Sequence, residues 1–178
     1  KDFNISSFKK MKPPSDSSFD TMQEIKALKK TALNKKFVKD NDNIEAAFKK
    51  TAEQKNIKDY DTKVAAKLIK ESAPVILKLK KHFNRPRPKA VAKKMNIKLK
   101  DIEMDSMKTP SYPSGHSAQG MLIGSVLKDK YPKAGSAFMK TAKNISDSRR
   151  VARAHYASDS KMGEQLGKSM YKHVKNKI

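Results

Sequence analysis

The sequence predicts an all-α fold. Apolar residues recur at three- and four-residue spacings with lysines between them, and no stretch alternates with the two-residue period of a strand. No internal repeat is visible. Residues 1–18, with Pro13-Pro14 and several serines, read as an extended arm, and residues 19–178 as a single helical domain. The first helix begins near Phe19 and carries Phe19, Met22, Ile25, Leu28 and Leu33. A second runs from Asp42 or Asn43 to Gln54 on Ile44, Ala47 and Phe48, after which Asn56 and Asp59 suit a turn. The third starts near Asp61 and reaches Phe83. Pro74 inside it is expected to kink or divide it, and Pro86 and Pro88 force it to end by Asn84, since each pushes the preceding residue out of the α region. A short helix is expected around Val91 to Met95, then a long loop to Tyr112. Loops of that length in a compact domain commonly carry function. After Gly115-His116 a helix runs to about Lys130, with Gly120 and Gly124 on one face. Glycine there weakens a helix by about 1 kcal/mol unless another backbone must come close. A helix from about Lys133 to Arg153 and a last one from Ser158 or Asp159 onward complete the chain.

With 178 residues the chain can close a core without metals or disulfides. An apolar fraction of 37% beside a charged fraction of 33% means a modest core under a heavily solvated shell. The formal charge of +23 attracts anions of every kind, and by itself does not choose among phosphate esters, nucleic acid and an acidic membrane surface. There is no cysteine, which excludes disulfides, a thiolate nucleophile and cysteine metal sites. The longest apolar run, Ala73 to Leu77, is far short of the roughly 20 residues that span a bilayer, so no transmembrane segment is expected. The chain begins at Lys1 rather than Met, which leaves room for a removed leader and an exported or periplasmic location. The expectation is a soluble protein of unassigned compartment.

The arginines are more telling. Of the 41 basic residues 36 are lysines spread from end to end, while Arg85 and Arg87 form one segment and Arg149, Arg150 and Arg153 another. A guanidinium presents a rigid fork of donors that fits paired phosphate oxygens, whereas lysine is a mobile point charge. Between these segments stands Pro113-Ser114-Gly115-His116, and the second continues to His155 and Asp159. Each piece alone has a bland reading. Residues four apart on a helix often form a surface pair or cap, Pro-Ser-Gly-His suits a turn with a serine cap, and an arginine cluster suits a basic face. Their joint occurrence in order favours a phosphate site. His82 and His173 read as surface residues and the nine methionines as core filler. Arg150 and Arg153 read as braces or solvated groups.

Three clusters, Lys80-x6-Arg87-Pro88, Pro113-Ser114-Gly115-His116 and Ser148-Arg149-x5-His155-x3-Asp159, together resemble the signature of the phosphatidic acid phosphatase type 2 superfamily. That superfamily includes bacterial class A non-specific acid phosphatases and vanadium haloperoxidases. The resemblance covers Lys80 to Asp159, extends weakly to Gly163 and Leu166-Gly167, and does not reach residues 1 to about 60. Lys78 with Arg85-Pro86 satisfies the first spacing as well. Lys80 with Arg87 is preferred, because family members often carry a second basic residue two positions before the final Arg-Pro. The resemblance implies a compact helical bundle of the acid phosphatase and haloperoxidase type. It implies His155 as nucleophile, Asp159 as its orienting partner, and His116 as the acid and then base for the leaving alcohol and the water. Lys80, Arg87, Ser114, Gly115 and Arg149 would bind phosphate.

A phosphoryl group in transfer spreads negative charge over several oxygens and needs donors converging from different directions. Such charge-assisted bonds contribute roughly 1.5–3 kcal/mol each. The expected activity is a metal-independent phosphatase acting on phosphomonoesters through a phosphohistidine, with phosphotransfer to alcohols also open. No metal or cofactor is expected, and vanadate or phosphate is expected to fit the site. The expected partner is a small phosphorylated substrate, with weak electrostatic association to anionic membrane surfaces or nucleic acid. The alternatives are a vanadate-dependent haloperoxidase and a non-catalytic basic nucleic-acid-binding protein.

Overall fold

The computed structural model describes residues 2–177. Its α-helices are α1 (Phe19–Lys30), α2 (Lys35–Asp42), α3 (Ile44–Gln54), α4 (Lys63–Phe83), α5 (Pro88–Lys94), α6 (Gly115–Lys130), α7 (Gly135–Val151) and α8 (Ala157–Lys175). Short 3-10 turns lie at Phe8–Lys10, Asp105–Lys108 and Pro132–Ala134, and no strand occurs among the described residues.

Local chemistry sets most of these boundaries. Ser18, Asn34, Asn43 and Ser114 each accept a backbone N–H at the start of α1, α2, α3 and α6, satisfying donors that a helix N-terminus otherwise leaves unpaired. Pro88 opens α5 at a position where its missing N–H costs nothing. Asn84, in the left-handed region at φ 48°, terminates α4. Two expectations fail here. α1 stops at Lys30 rather than reaching Leu33, and the chain then forms α2, which the apolar pattern does not announce. Its sequence KKFVKDND offers only Phe37 and Val38, and the helix is held by its Asn34 cap and the burial of Val38. α4 runs through Pro74, which sits on its exposed side, so the helix is not divided.

Helix α6 is the axis of the molecule. It packs against α4, α7 and α8, and its buried residues, among them Ala118, Leu122, Ile123 and Leu127, lie all around its circumference. A helix enclosed in this way has no single apolar stripe. Phe48, Leu79, Leu122, Ile123, Leu127, Phe138, Ile145 and Leu166 form the centre of the main core. Residues 2–18 do not project freely. Phe8 is buried in that core, Phe3 and Ile5 pack against it, and the Tyr112 hydroxyl donates to the Met11 carbonyl at 2.6 Å.

Small residues let α6 meet its neighbours backbone to backbone. A Cβ on Gly124 would come within 3.0 Å of the Ala142 Cβ and 3.3 Å of the Phe138 carbonyl oxygen. On α8, a Cβ at Gly163 would stand 2.5 Å from the Ser114 carbonyl oxygen and 2.8 Å from the Ser117 Cβ. This seam fixes α8, and so Asp159 on its first turn, against the start of α6. Gly163→Ala should therefore lower stability by about 1–3 kcal/mol, the cost of overpacking, in spite of alanine's better helix propensity. Urea denaturation read by far-UV circular dichroism checks this, and unchanged or increased stability would contradict the seam.

Candidate active site

The last turn of α4 carries Lys80 inward beside Leu79, leaving it only 6% exposed. Beyond Asn84, Pro86 and Pro88 hold the residues before them out of the helical region, so Arg85 and Arg87 take an extended course. The two arginines end on different sides of the same pair. Arg87 Nη1 lies 2.9 Å from His155 Nε2, while Arg85 Nη1 donates to Asp159 Oδ1 at 2.7 Å. Lys78, by contrast, is exposed and lines a separate cavity of about 430 Å³ with Phe3 and Val75. The geometry therefore selects Lys80 with Arg87 as the pair facing His155.

His155 precedes α8 and Asp159 lies in its first turn. Their four-residue spacing brings His155 Nδ1 to 3.1 Å from Asp159 Oδ2. The same carboxylate oxygen accepts the Tyr156 backbone N–H at 3.0 Å and the Ser111 hydroxyl. An arginine N–H can only donate, so His155 Nε2 must accept from Arg87. The ring proton is then on Nδ1, donated to Asp159. Burial pushes the His155 pKa well below its ordinary value, reinforced by the charges of Arg87, Lys80 and Arg149. The imidazole is neutral, with its Nε2 lone pair turned towards Arg87.

Burial pushes the Asp159 carboxyl up to about 6, against the opposing pull of Arg85, the Ser111 hydroxyl and the Tyr156 N–H. It remains mostly ionised at neutral pH. Behind it Arg85, 2% exposed, stacks over the Tyr156 ring at 3.7 Å and also meets Ser158 and Glu24.

The cations lie close together around acceptors that are neutral except for Asp42. Lys80 Nζ donates to Thr109 Oγ1 at 3.0 Å and to the Pro110 carbonyl at 2.9 Å. Arg87 also reaches Thr109 Oγ1, at 3.2 Å, and donates to the Thr109, Ser106 and Ala154 carbonyls. Arg149, at the end of α7 and fully buried, donates through Nη2 to Ser106 Oγ at 2.9 Å and through Nη1 to Asp42 Oδ1 at 3.0 Å. Its Nε–H has no partner among the described residues. Burial pushes the Lys80 ammonium down to about 7, with Arg87 adding to the effect and Asp159 opposing it.

Ser114 caps α6, is fully buried, and its backbone N–H donates to the Asp159 carbonyl at 3.0 Å. At Gly115 a Cβ would meet Ile76 Cγ2 at 3.6 Å and Lys80 Cε at 3.8 Å, ordinary contacts, so the protein's own packing does not demand glycine there. His116, one residue on, lies with Nε2 2.7 Å from the Asp42 carbonyl oxygen. Seven of the eight residues singled out from the sequence thus fall within one connected network, and Gly115 adjoins it only through its chain neighbours Ser114 and His116. Lys80 and Arg87 share Thr109, Arg87 and Arg149 share Ser106, and Arg149 and His116 share Asp42. Arg153 donates to the Lys100, Lys29 and Thr31 carbonyls, tying the long loop to the end of α1, while Arg150 pairs with Asp147 near the surface.

Four participants escaped the sequence reading. Asp42, Ser106, Thr109 and Ser111 come from α2 and from the long loop, and none stands in a periodic pattern. Arg85 was visible, but as a rival for the role of Arg87. Its position two residues before Arg87 in an extended segment was the signal that both are used.

No protein-family model matches the chain. Over 88 residues it is 32% identical to a non-specific acid phosphatase of Salmonella typhimurium, a match covering 49% of this chain and 35% of that protein. The matched region is thus about a third of that relative's length. The similarity reaches an acid-phosphatase type of protein and no finer grade. Among the described residues no helix is long and apolar enough to cross a membrane.

Arg85→Met removes the charge that faces Asp159 from behind. Breaking a buried pair from one side costs about 3 kcal/mol at the lower end of the measured range, and the donors that remain to Asp159 keep the loss near that end. The melting temperature should fall by roughly 6–12 °C. Differential scanning calorimetry would show this, and a change under 2 °C would mean that the pair contributes little.

Proposed function

We propose that the chain is a phosphoric monoester hydrolase that works through a phosphohistidine and without a metal. One observation carries the reading: a neutral His155, its tautomer set by Asp159, presents Nε2 beside Arg87 where Lys80 and Arg149 also converge. The similarity to a non-specific acid phosphatase supports it.

The substrate phosphate would replace the hydroxyl and carbonyl acceptors that now occupy Lys80, Arg87 and Arg149. An anion bonds these donors more strongly than a neutral oxygen does. Ser114 and the start of α6 add a hydroxyl and the positive end of a helix. The Nε2 lone pair of His155 attacks phosphorus, the bond from phosphorus to the ester oxygen breaks, and His116 as imidazolium gives its proton to the leaving alcohol. Asp159 stabilises the positive charge that the phosphorylated ring acquires, as an orienting carboxylate does in a triad. In the second half His116, now neutral, takes a proton from water as the water oxygen attacks phosphorus. The P–N bond breaks and Nε2 recovers its lone pair. An alcohol in place of water would give phosphotransfer. Vanadate, a phosphate mimic, should compete for the same donors.

His155→Ala should abolish hydrolysis of an aryl phosphate assayed in EDTA, while the wild type stays active. Full activity in the variant, or loss of wild-type activity in EDTA, would sink the reading.

Lys80 gives the reading a pH dependence. Its folded pKa of about 7 lies below the ordinary lysine value, so the site gains a cation as pH falls through 7 and loses it as pH rises. Anion binding favours the charged form. Calorimetric titration with vanadate or phosphate should show proton uptake near pH 7 and weaker binding above it, beyond the anion's own ionisation. Lys80→Met should remove that component, and an unchanged pH profile in the variant would assign it elsewhere.

A further inference from the structure

Asp42 is the last residue of α2, and its local setting is unfavourable. A carboxylate at a helix C-terminus faces the negative end of the helix dipole. Asn43, immediately after it, already caps α3, so Asp42 has no capping task to explain it. Its contacts are instead tertiary. The backbone carbonyl accepts from His116 Nε2 at 2.7 Å, the carboxylate Oδ1 stands 3.5 Å from the same nitrogen, and Oδ1 also takes Arg149 Nη1 at 3.0 Å. One residue therefore touches the proposed proton donor and one of the proposed phosphate binders.

We propose that Asp42 is a positioning residue for phosphoryl transfer, holding His116 by Nε2 so that Nδ1 exchanges the proton, and anchoring Arg149 by one nitrogen of its fork. The inference rests on the phosphatase reading above.

The charges around His116 explain why a carboxylate is needed. Arg149 faces it from α7, the neutral His155 lies ahead of α8, and from α4 Lys80 passes within 3.8 Å of where a Cβ on the adjacent Gly115 would stand. This surrounding is cationic and largely enclosed, and both features disfavour imidazolium. Burial and Arg149 lower the His116 pKa, and Asp42 is the group that opposes them through its carboxylate and its carbonyl. A general acid without that partner would hold its proton less readily at the first step. The hold on Arg149 uses a single donor nitrogen. Nη2 rests on the exchangeable Ser106 hydroxyl and Nε is unpartnered, so the fork keeps donors for an incoming oxyanion. The Asp42 side chain is 42% exposed, at the water-facing rim of the network.

The test is the pH profile of Asp42→Asn with an aryl phosphate. The variant keeps the carbonyl and the side-chain shape and loses the charge. The expected kcat loss is about 10–100-fold, within what general acid catalysis supplies. The alkaline limb, where His116 loses its proton, should move to lower pH by about 1 unit, with KM changing less than kcat. Asp42→Glu, which restores the charge, should recover part of the rate and return the limb towards its wild-type position. A wild-type-like profile with kcat within twofold in Asp42→Asn overturns the inference and leaves the phosphatase reading standing. If Asp42→Asn does not fold, Asp42→Ala, which also removes the charge and keeps the backbone carbonyl, decides in its place: reduced kcat with the alkaline limb displaced to lower pH supports the inference, and a wild-type-like profile overturns it. Wild-type protein that hydrolyses no phosphomonoester would overturn the functional reading and this inference together.

Discussion

The buried carboxylate of Asp159 is the constraint around which the rest is arranged. It lies in the first turn of α8, wholly out of water, and an ion there is tolerated only with its oxygens satisfied. Arg85 takes one oxygen. The Ser111 hydroxyl, the Tyr156 N–H and His155 Nδ1 share the other. These partners arrive from the end of α4, from the long loop before α6 and from the start of α8. A single charge thus ties three remote segments together, and the ring it orients is the one with the proposed nucleophilic nitrogen. Arg85 secures Asp159 from behind without facing His155, which explains why two arginines only two residues apart have unlike tasks.

The second constraint is the crowding of like charge. Lys80, Arg87 and Arg149 would repel one another, and in this arrangement the long loop supplies oxygens that separate them. Each of those acceptors on the loop is neutral. That choice leaves the cage short of negative charge and so receptive to an oxyanion, since the protein's own acceptors are weaker than a phosphate oxygen. Asp42 is the exception, and it lies at the rim, where its charge is partly screened by water.

How much of this the sequence disclosed depends on the kind of signal each residue leaves. The long helices were legible because burying one face imposes a periodicity, as in α4, and because Asn84, Pro86 and Pro88 leave it no way to continue. The three clusters were legible because the phosphate chemistry proposed for them demands particular side chains within short spans. Gly120 and Gly124 announced a close approach, and α6 indeed meets α7 there. Helix α2 was silent. With two apolar residues in eight, it exists through a cap and tertiary contacts, which no local pattern records. Ser106, Thr109 and Ser111 were equally silent: a hydroxyl that satisfies one buried cation differs in no local respect from a hydroxyl on any loop.

The two kinds of basic residue also separate by mechanism. The site arginines are pinned, Arg85 and Arg149 buried almost completely and Arg87 half-buried, with their positions set by several acceptors each. A guanidinium keeps its charge under such burial, because its pKa starts far above any working pH. Lysine is less secure in the same place, as the lowering of Lys80 to about 7 demonstrates. Most of the other lysines remain at the surface, where their summed charge acts only at long range. Salt weakens that outer field within about 10 Å at moderate ionic strength, while the buried forks are shielded from it. Attraction of anions to the molecule and their proposed capture at His155 are therefore separate physical steps, one sensitive to salt and the other governed by fixed geometry.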